Sequence, residues 1–330
     1  MSPAPAKNLT GGIDLGGTKI QSAVIGAGGK ILGEERRPTP TKGGPEGVAK
    51  ELAESMREAA KQAGVETSAM AGVGVGSPGD ADERTGVVSG ARNLPGWEGS
   101  FPLAESLSKA LGTKVKIGND VDVAVNAEFA LGAAKPYDSV IGVWWGTGVG
   151  GGLILDGKQW IGRGAAAEIG HMVIKRGGAK CTCGRRGCME AYAGRMAMEL
   201  KAREEVKGGA KTKLFKIMEE RGRDRLSSGV WDRALEHGDD LATHLMDRAV
   251  KGLAAGIASA VNLIDPEAVI LGGGMGSRFG DKYFPRIQAR MHRHLFSDEN
   301  PPAMHVAALG DYGGAIGASL LISPRKASSK

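Results

Sequence analysis

All three cysteines of this 330-residue chain fall within eight residues, at Cys181, Cys183 and Cys188, and His171 lies ten positions before the first. Three thiolates and one imidazole complete a tetrahedral Zn²⁺ shell. A shell closed by four protein ligands holds structure together rather than activating water. The spacing C-x-C-x4-C, interleaved with Gly184, Gly187 and two arginines, is foreign to ordinary buried thiols, so zinc is the expected occupant. Two carboxylates, Glu168 and Glu190, flank these ligands. An odd number of cysteines in one cluster gives no disulfide framework and fits a reducing cytoplasm.

Two glycine-rich stretches have the chemistry to hold phosphate. In Asp14-Leu15-Gly16-Gly17-Thr18-Lys19, apolar alternation runs on both sides of the glycine pair, which predicts strand, turn, strand. Such a turn lets backbone N–H groups reach phosphate oxygens, with Thr18 and Lys19 as added donors and Asp14 able to hold the hydration shell of Mg²⁺. A plain β-turn would use the same glycines. The second stretch, Gly146-Thr147-Gly148-Val149-Gly150-Gly151-Gly152, succeeds the apolar strand 140–145 and imitates a dinucleotide fingerprint. It leads into another strand closing on Asp156-Gly157, with no helix to receive a pyrophosphate, so a second glycine hairpin is predicted instead. No G-x4-G-K-[ST] loop occurs anywhere in the chain. Gly272-Gly273-Gly274, at the end of the buried strand 268–271, either lies flat against a planar ligand or turns strand into helix.

Asn119-Asp120 stands at the end of the strand 114–117, where a helix begins at Val121 or Asp122. A carboxylate there can accept a hydroxyl proton, and an amide can orient the substrate. Aspartate is also a common helix cap, and local sequence by itself favours that role for Asp120. His292 and His294 are two apart on a predicted helix and face different ways, which argues against a shared metal.

The elements that must position these groups alternate between strand and helix. Residues 11–37 read as a β-meander, 45–63 as an amphipathic helix with Val48, Leu52, Met56 and Ala60 on one stripe, and 71–75 as a buried strand ending in Gly76-Ser77-Pro78-Gly79. Helices are predicted at 103–111, 196–223 and 241–263, with a strand at 303–309 and a small-residue helix to about 322. The result is an α/β chain with a pocket expected at its strand ends. A charged fraction of 24% and a hydrophobic fraction of 41% are ordinary for a globular protein, but 54 glycines are not, and they cluster beside apolar strands. The net charge of +6 is spread over helices where acids alternate with bases, such as 46–62 and 198–223, which argues against nucleic acid as a partner. No run approaches the ~20 apolar residues of a membrane span. MSPAPAK lacks the apolar core of a secretory signal, and this stretch and PRKASSK read as disordered tails, so a cytoplasmic location is expected.

Taken together, these motifs resemble the ROK family, bacterial sugar kinases and related repressors of the actin-like, hexokinase-like ATPase superfamily. The resemblance runs from Asp14–Lys19 to Gly313-Gly314-Ala315-Ile316-Gly317, and its most specific parts are Asn119-Asp120, Glu168-Ile169-Gly170-His171 and C-x-C-G-x2-G-C-x-E at 181–190. Within the family, Asn93-Leu94-Pro95-Gly96-Trp97 resembles the glucose-phosphorylating members. The resemblance implies a two-domain actin-like (ribonuclease H-like) α/β fold with a cleft between domains: 1–117 plus about 312–330 as the smaller, 118–311 as the larger. It implies Asp120 as general base for the sugar 6-hydroxyl, and Asn119, Glu168, His171 and Glu190, with backbone near Gly79, as sugar contacts. It also implies Gly16, Gly17, Thr18, Lys19, Gly146, Thr147 and Gly148 at the phosphates of ATP, Asp14 near Mg²⁺, and Gly272, Gly273 and Gly274 at the adenosine. Zinc on His171, Cys181, Cys183 and Cys188 would then brace the sugar-reading wall.

The implied activity is transfer of phosphate from ATP to glucose; another hexose (mannose, fructose, an N-acetylated amino sugar) or polyphosphate as donor is the alternative. A homodimer or homotetramer is implied as well. A DNA-binding repressor is disfavoured, because only thirteen residues precede Asp14 and a winged helix-turn-helix does not fit there. Two features depart from the family pattern: Trp144-Trp145 before the second hairpin, and a long basic stretch at 201–236.

Overall fold

A computed structural model describes residues 8–322 except Arg92, Asn93 and Pro95. The two tails and part of the motif 93–97 read from the sequence lie outside the described residues. The chain divides into two compact units, one holding the residues up to Pro136, Gly157–Gln159 and those from Ala308 on, the other Tyr137–Asp156 and Trp160–Ala307.

In the first unit the predicted meander forms. Thr10–Leu15 pairs antiparallel with Lys19–Ile25, which pairs antiparallel with Ile31–Pro38. On the other side of Thr10–Leu15 the parallel strands Val73–Ser77 and Val115–Asn119 complete the sheet. Helices cover both faces. Gly44–Gln62 buries Val48, Leu52, Met56 and Ala60 as its stripe requires, together with Ile13, Leu15 and Val75 of the sheet. The opposite face takes Gly313–Leu320, whose backbone lies directly on the sheet: a Cβ added to Gly12 or Gly74 would collide with the carbonyl of Ala315 or Ala318. This same helix packs on Asp120–Leu131. Residues 118–136 therefore stay with the first unit, whereas the resemblance places them in the larger domain. The parting falls after the helix that Asn119 opens, because that helix is packed against the chain's last one.

The second unit repeats the theme. Val140–Trp145 and Val149–Leu155 form the predicted glycine hairpin, and Ala268–Gly272 and Ala303–Val306 extend it in parallel, in the order 149–155, 140–145, 268–272, 303–306. Asp240–Ile264 and Gly273–His292 pack with it into the core around Val143, Trp145, Leu253, Ile257 and Phe279. The stretch 196–223, expected as one helix, is two, Arg195–Lys207 and Leu214–Glu220. Gly208 caps the first, and Gly209, at φ +96°, sends the chain away. Among the described residues no helix is long and apolar enough to cross a membrane.

Candidate functional site

In the first unit, register assembles the polar residues at the carboxyl ends of three neighbouring parallel strands. Asp14 is paired with Gly76, and Ser77 with Asn119, so Asp14, the turn after Ser77 and Asn119-Asp120 sit side by side. Ligand sites of open α/β sheets form at such ends. The cap of the following helix is Asn119, not Asp120: Asn119 Oδ1 accepts from the N–H groups of Val121 at 2.9 Å and Asp122 at 3.2 Å. Asp120 opens the helix, with Oδ1 accepting the Val121 N–H at 3.0 Å. Gly79 has φ +86°, and a Cβ there would meet the Ser89 carbonyl at 2.7 Å, so only glycine turns the chain at this strand end.

The surroundings of these carboxylates set their charge. Asp14 and Asp120 keep part of their surface open, while protein packs round them on the remaining sides. Desolvation pushes Asp120 up to about 7; negative charge on Asp14 adds to the rise, and the Val121 N–H opposes it. Asp14 is raised to about 6 by burial, opposed by Lys19 and reinforced by Asp311. Its carboxylate lies against Gly314 in the first turn of the last helix, where a Cβ would come within 2.7 Å of it. Lys19 Nζ stands 3.7 Å from Asp311, beside the Gly16 turn, and Thr39 Oγ1 pins that turn through the Gly16 carbonyl at 2.6 Å. A pair of desolvated carboxylates next to a lysine is a setting that favours a bound divalent cation and phosphate.

The second unit carries the metal cluster. The ligand atoms of His171, Cys181, Cys183 and Cys188 all lie within 4.8 Å of one another. Cys183 and Cys188 sulfurs are 3.8 Å apart, the edge of about 3.8 Å that a tetrahedron with ~2.3 Å Zn–S bonds requires. His171 Nδ1 faces the cluster, 3.8 Å from Cys181 Sγ, and Nε2 faces Glu168 at 3.9 Å. One ring nitrogen is thus turned to the metal position and the other to an exposed carboxylate. Positive φ at Gly184 and Gly187 folds the cysteine loop back on itself, and a Cβ at Gly187 would strike the Lys175 carbonyl. The donor set and spacing fit a structural zinc ion.

Glu190 ties this loop to the glycine hairpin. Its Oε1 accepts from the Thr182 hydroxyl at 3.0 Å, and its Oε2 accepts from the Val149 N–H at 3.0 Å. A Cβ on Gly148 would overlap that carboxylate. The hairpin is also held from its other side: Arg195 N donates to the Gly146 carbonyl at 3.1 Å and Met196 N to that of Thr147 at 3.0 Å. The Arg195 guanidinium donates to Thr147 Oγ1 at 2.9 Å and to the Leu226 carbonyl at 3.0 Å.

The glycine run at 272–274 divides in its reasons. A Cβ at Gly272 would sit 2.8 Å from the indole of Trp144, and one at Gly273, where φ is +81°, 2.6 Å from the Trp145 carbonyl oxygen. Gly274 has nothing within 4 Å of that point, and its N–H lies 4.0 Å from the corresponding point on Gly146. Packing explains the first two glycines; Gly274 alone of the three opens onto space. The two tryptophans also separate. Trp145 is buried, with its indole N–H on the Ala193 carbonyl at 2.7 Å, while Trp144 is half-buried on the opposite face of its strand.

Sequence reasoning misses Arg195 and Thr39. Their partners lie 48 and 23 residues away, so no local signal announces them. Against known proteins, the model of the ROK family matches residues 10–325. The chain is 34% identical to the glucokinase of Thermotoga maritima over 95% of this chain and 97% of that one. It is 33% identical to the N-acetyl-D-glucosamine kinase of Pectobacterium atrosepticum, covering 94% and 97%. A ROK family glucokinase from Streptomyces griseus, solved with glucose and AMPPNP, superposes with a TM-score of 0.80 at 32% identity, covering 95% of this chain and 98% of that one.

Proposed function

Because the chain belongs to the ROK family, we propose that it is an ATP-dependent hexose kinase that transfers the terminal phosphoryl group of ATP to the 6-hydroxyl of glucose. The fold is the actin-like ATPase fold of the ROK sugar kinases. The observation that carries the reading is Asp120: a desolvated carboxylate at a strand end, raised to about 7, which suits it to take a proton near neutral pH. In this reading Asp120 draws the proton from the sugar hydroxyl as its oxygen attacks phosphorus. Asn119 Oδ1 is occupied by the helix, so its amide N–H groups are the ones left for a neighbouring hydroxyl. Glu168, His171 and Glu190, with backbone near Gly79, read further hydroxyls, each able to leave an unpaired polar group if the wrong epimer enters.

Phosphoryl transfer needs alignment and charge stabilisation more than covalent help. In this reading Gly17, Thr18 and Lys19 supply donors to the phosphates, as do Thr147 and Gly148, while Gly16 and Gly146 shape the turns by donating to the Lys19 and Gly148 carbonyls, and Gly274 borders the adenosine. Asp14 would hold the hydration shell of Mg²⁺, which supplies charge neutralisation on the phosphates. Zinc would keep the cysteine loop, and through it Glu190 and His171, in place. The reducing setting that zinc-bound thiolates need supports a cytoplasmic location, and family membership supports a homodimer or homotetramer.

The likeness to an N-acetyl-D-glucosamine kinase supports a second reading, an N-acetylated amino sugar as acceptor. One panel separates the two: glucose, mannose, fructose and N-acetylated hexosamines, each with ATP and with polyphosphate. Glucose with ATP is expected to give the highest kcat/KM. A higher value with an amino sugar replaces the acceptor, and turnover of none refutes the kinase reading.

A further inference from the structure

Arg195 contributes to neither the acceptor nor the donor contacts read from the sequence, yet its guanidinium contacts the Gly146–Gly148 turn through Thr147, while the Glu190 carboxylate holds the Gly148–Val149 side. It is half-buried, and desolvation works against its charge, which a guanidinium keeps nonetheless. Its hydrogen-bond partners among the described residues are both uncharged, Thr147 Oγ1 and the Leu226 carbonyl. The carboxylate that acts on it, Glu199, is itself engaged by Arg203 at 2.7 Å and by the Leu226 N–H at 2.9 Å. A second cation, Arg225, is close enough to repel it, and Arg225 meets the sulfur of Met196 at 3.6 Å. Arg195 thus stands half-buried at the glycine turn, with the exposed Arg225 beyond it against Met196, and among the described residues no carboxylate forms an ion pair with either. An arrangement of that kind is costly in the free protein and is relieved by an anion.

The direction of the Arg195–Thr147 bond adds a second argument. A threonine hydroxyl has one proton and two lone pairs, and a guanidinium can only donate. With Arg195 filling a lone pair, the Thr147 proton is left to point at an acceptor. Arg195 therefore orients the Thr147 hydroxyl with its proton kept for an acceptor such as a phosphate oxygen. We propose that Arg195 is the positioning residue of the donor-phosphate site, orienting Thr147 and, with Arg225, making an anion subsite for the phosphate chain of the donor. This rests on the reading of Gly146–Gly148 as a phosphate-binding turn, and it gives the basic stretch 201–236 a part in that site.

The test measures binding without turnover. Zinc-loaded protein is titrated calorimetrically with inorganic tripolyphosphate, with a non-hydrolysable ATP analogue and with glucose. Arg195→Gln is expected to weaken both phosphate ligands by about tenfold, the worth of one charge-assisted hydrogen bond, and to leave glucose affinity unchanged. Arg195→Lys, which keeps the charge and loses the fork, is expected to recover most of the loss. In steady state the same variants should raise KM for ATP more than they lower kcat. Equal tripolyphosphate affinity in Arg195→Gln and the parent overturns the proposal, and so does a parallel loss of glucose and phosphate ligands, the mark of a merely structural arginine. If Arg195→Gln does not fold, Arg225→Gln at the surface replaces it, with a loss of about threefold expected and unchanged affinity again overturning the proposal. A parent that binds tripolyphosphate but phosphorylates no sugar refutes the kinase reading and leaves this one standing.

Discussion

Replacing Asp120 by asparagine should inactivate the protein and stabilise it at once. The carboxyl has an ordinary value of 3.8 in the unfolded chain and about 7 in the folded one. Between those values the folded chain retains a proton that the unfolded chain has released, so stability falls as pH rises and the whole penalty is present above pH 7. At about 1.4 kcal/mol per pH unit, complete desolvation would make that penalty about 4 kcal/mol. Solvent still reaches part of the side chain, and about 2 kcal/mol is the expected value. Asparagine cannot ionise, yet its oxygen can keep the Val121 N–H. Denaturant unfolding of ligand-free protein should therefore show Asp120→Asn about 2 kcal/mol more stable than the parent at pH 8 and nearly equal to it at pH 4. The parent's kcat/KM should carry an acid limb near pH 7, falling about tenfold per pH unit below it. A variant less stable than the parent at pH 8, or a gain of the same size at both pH values, would refute the reasoning that desolvation tunes this carboxylate.

Other perturbations probe the supports of the site. Cys188→Ser, at a fully buried ligand, should lower bound zinc from about one per chain toward none and reduce the melting temperature and glucose affinity together, as read by elemental analysis, calorimetry and sugar titration. Gly148→Ala drives a methyl into the Glu190 carboxylate, and at least a roughly tenfold loss of kcat/KM for ATP is expected, with the far-ultraviolet circular dichroism unchanged. Gly272→Ala pushes the Trp144 indole off its seat, so tryptophan fluorescence should shift to longer wavelength and KM for ATP should rise. Asp14→Asn removes a negative charge that raises Asp120, and the surviving activity should show its acid limb at lower pH.

Features that are local in the chain are legible in its sequence, and contacts made across the sheet are not. Glycine turns between alternating strands are local, so Asp14–Lys19 and Gly146–Gly152 read as hairpins from residue order alone, and the second can be told from a dinucleotide fingerprint. The zinc ligands are nearly as local, and their spacing announces them. That Asn119 rather than Asp120 caps the helix depends on which side chain the strand end turns toward the first N–H groups. Glu190 reaches Val149, 41 residues away, and its use as a tie between zinc loop and hairpin is invisible in a run of sequence. Gly272 reads as either a ligand-side glycine or a strand-to-helix turn, and only packing shows that Trp144 needs the space. The charged stretch 196–223 reads as one helix because its polar residues suit any solvated face, and the Gly208-Gly209 break outweighs them.

The most direct measurement is the formation of glucose 6-phosphate from glucose and ATP-Mg²⁺ by the purified parent and by Asp120→Asn, with N-acetylglucosamine as the competing acceptor. The account predicts phosphorylation by the parent at carbon 6 of glucose, and a loss of at least about a thousandfold in kcat for the variant while its affinity for ATP is kept. Undiminished turnover by folded Asp120→Asn, or a parent that phosphorylates no hexose, would contradict it.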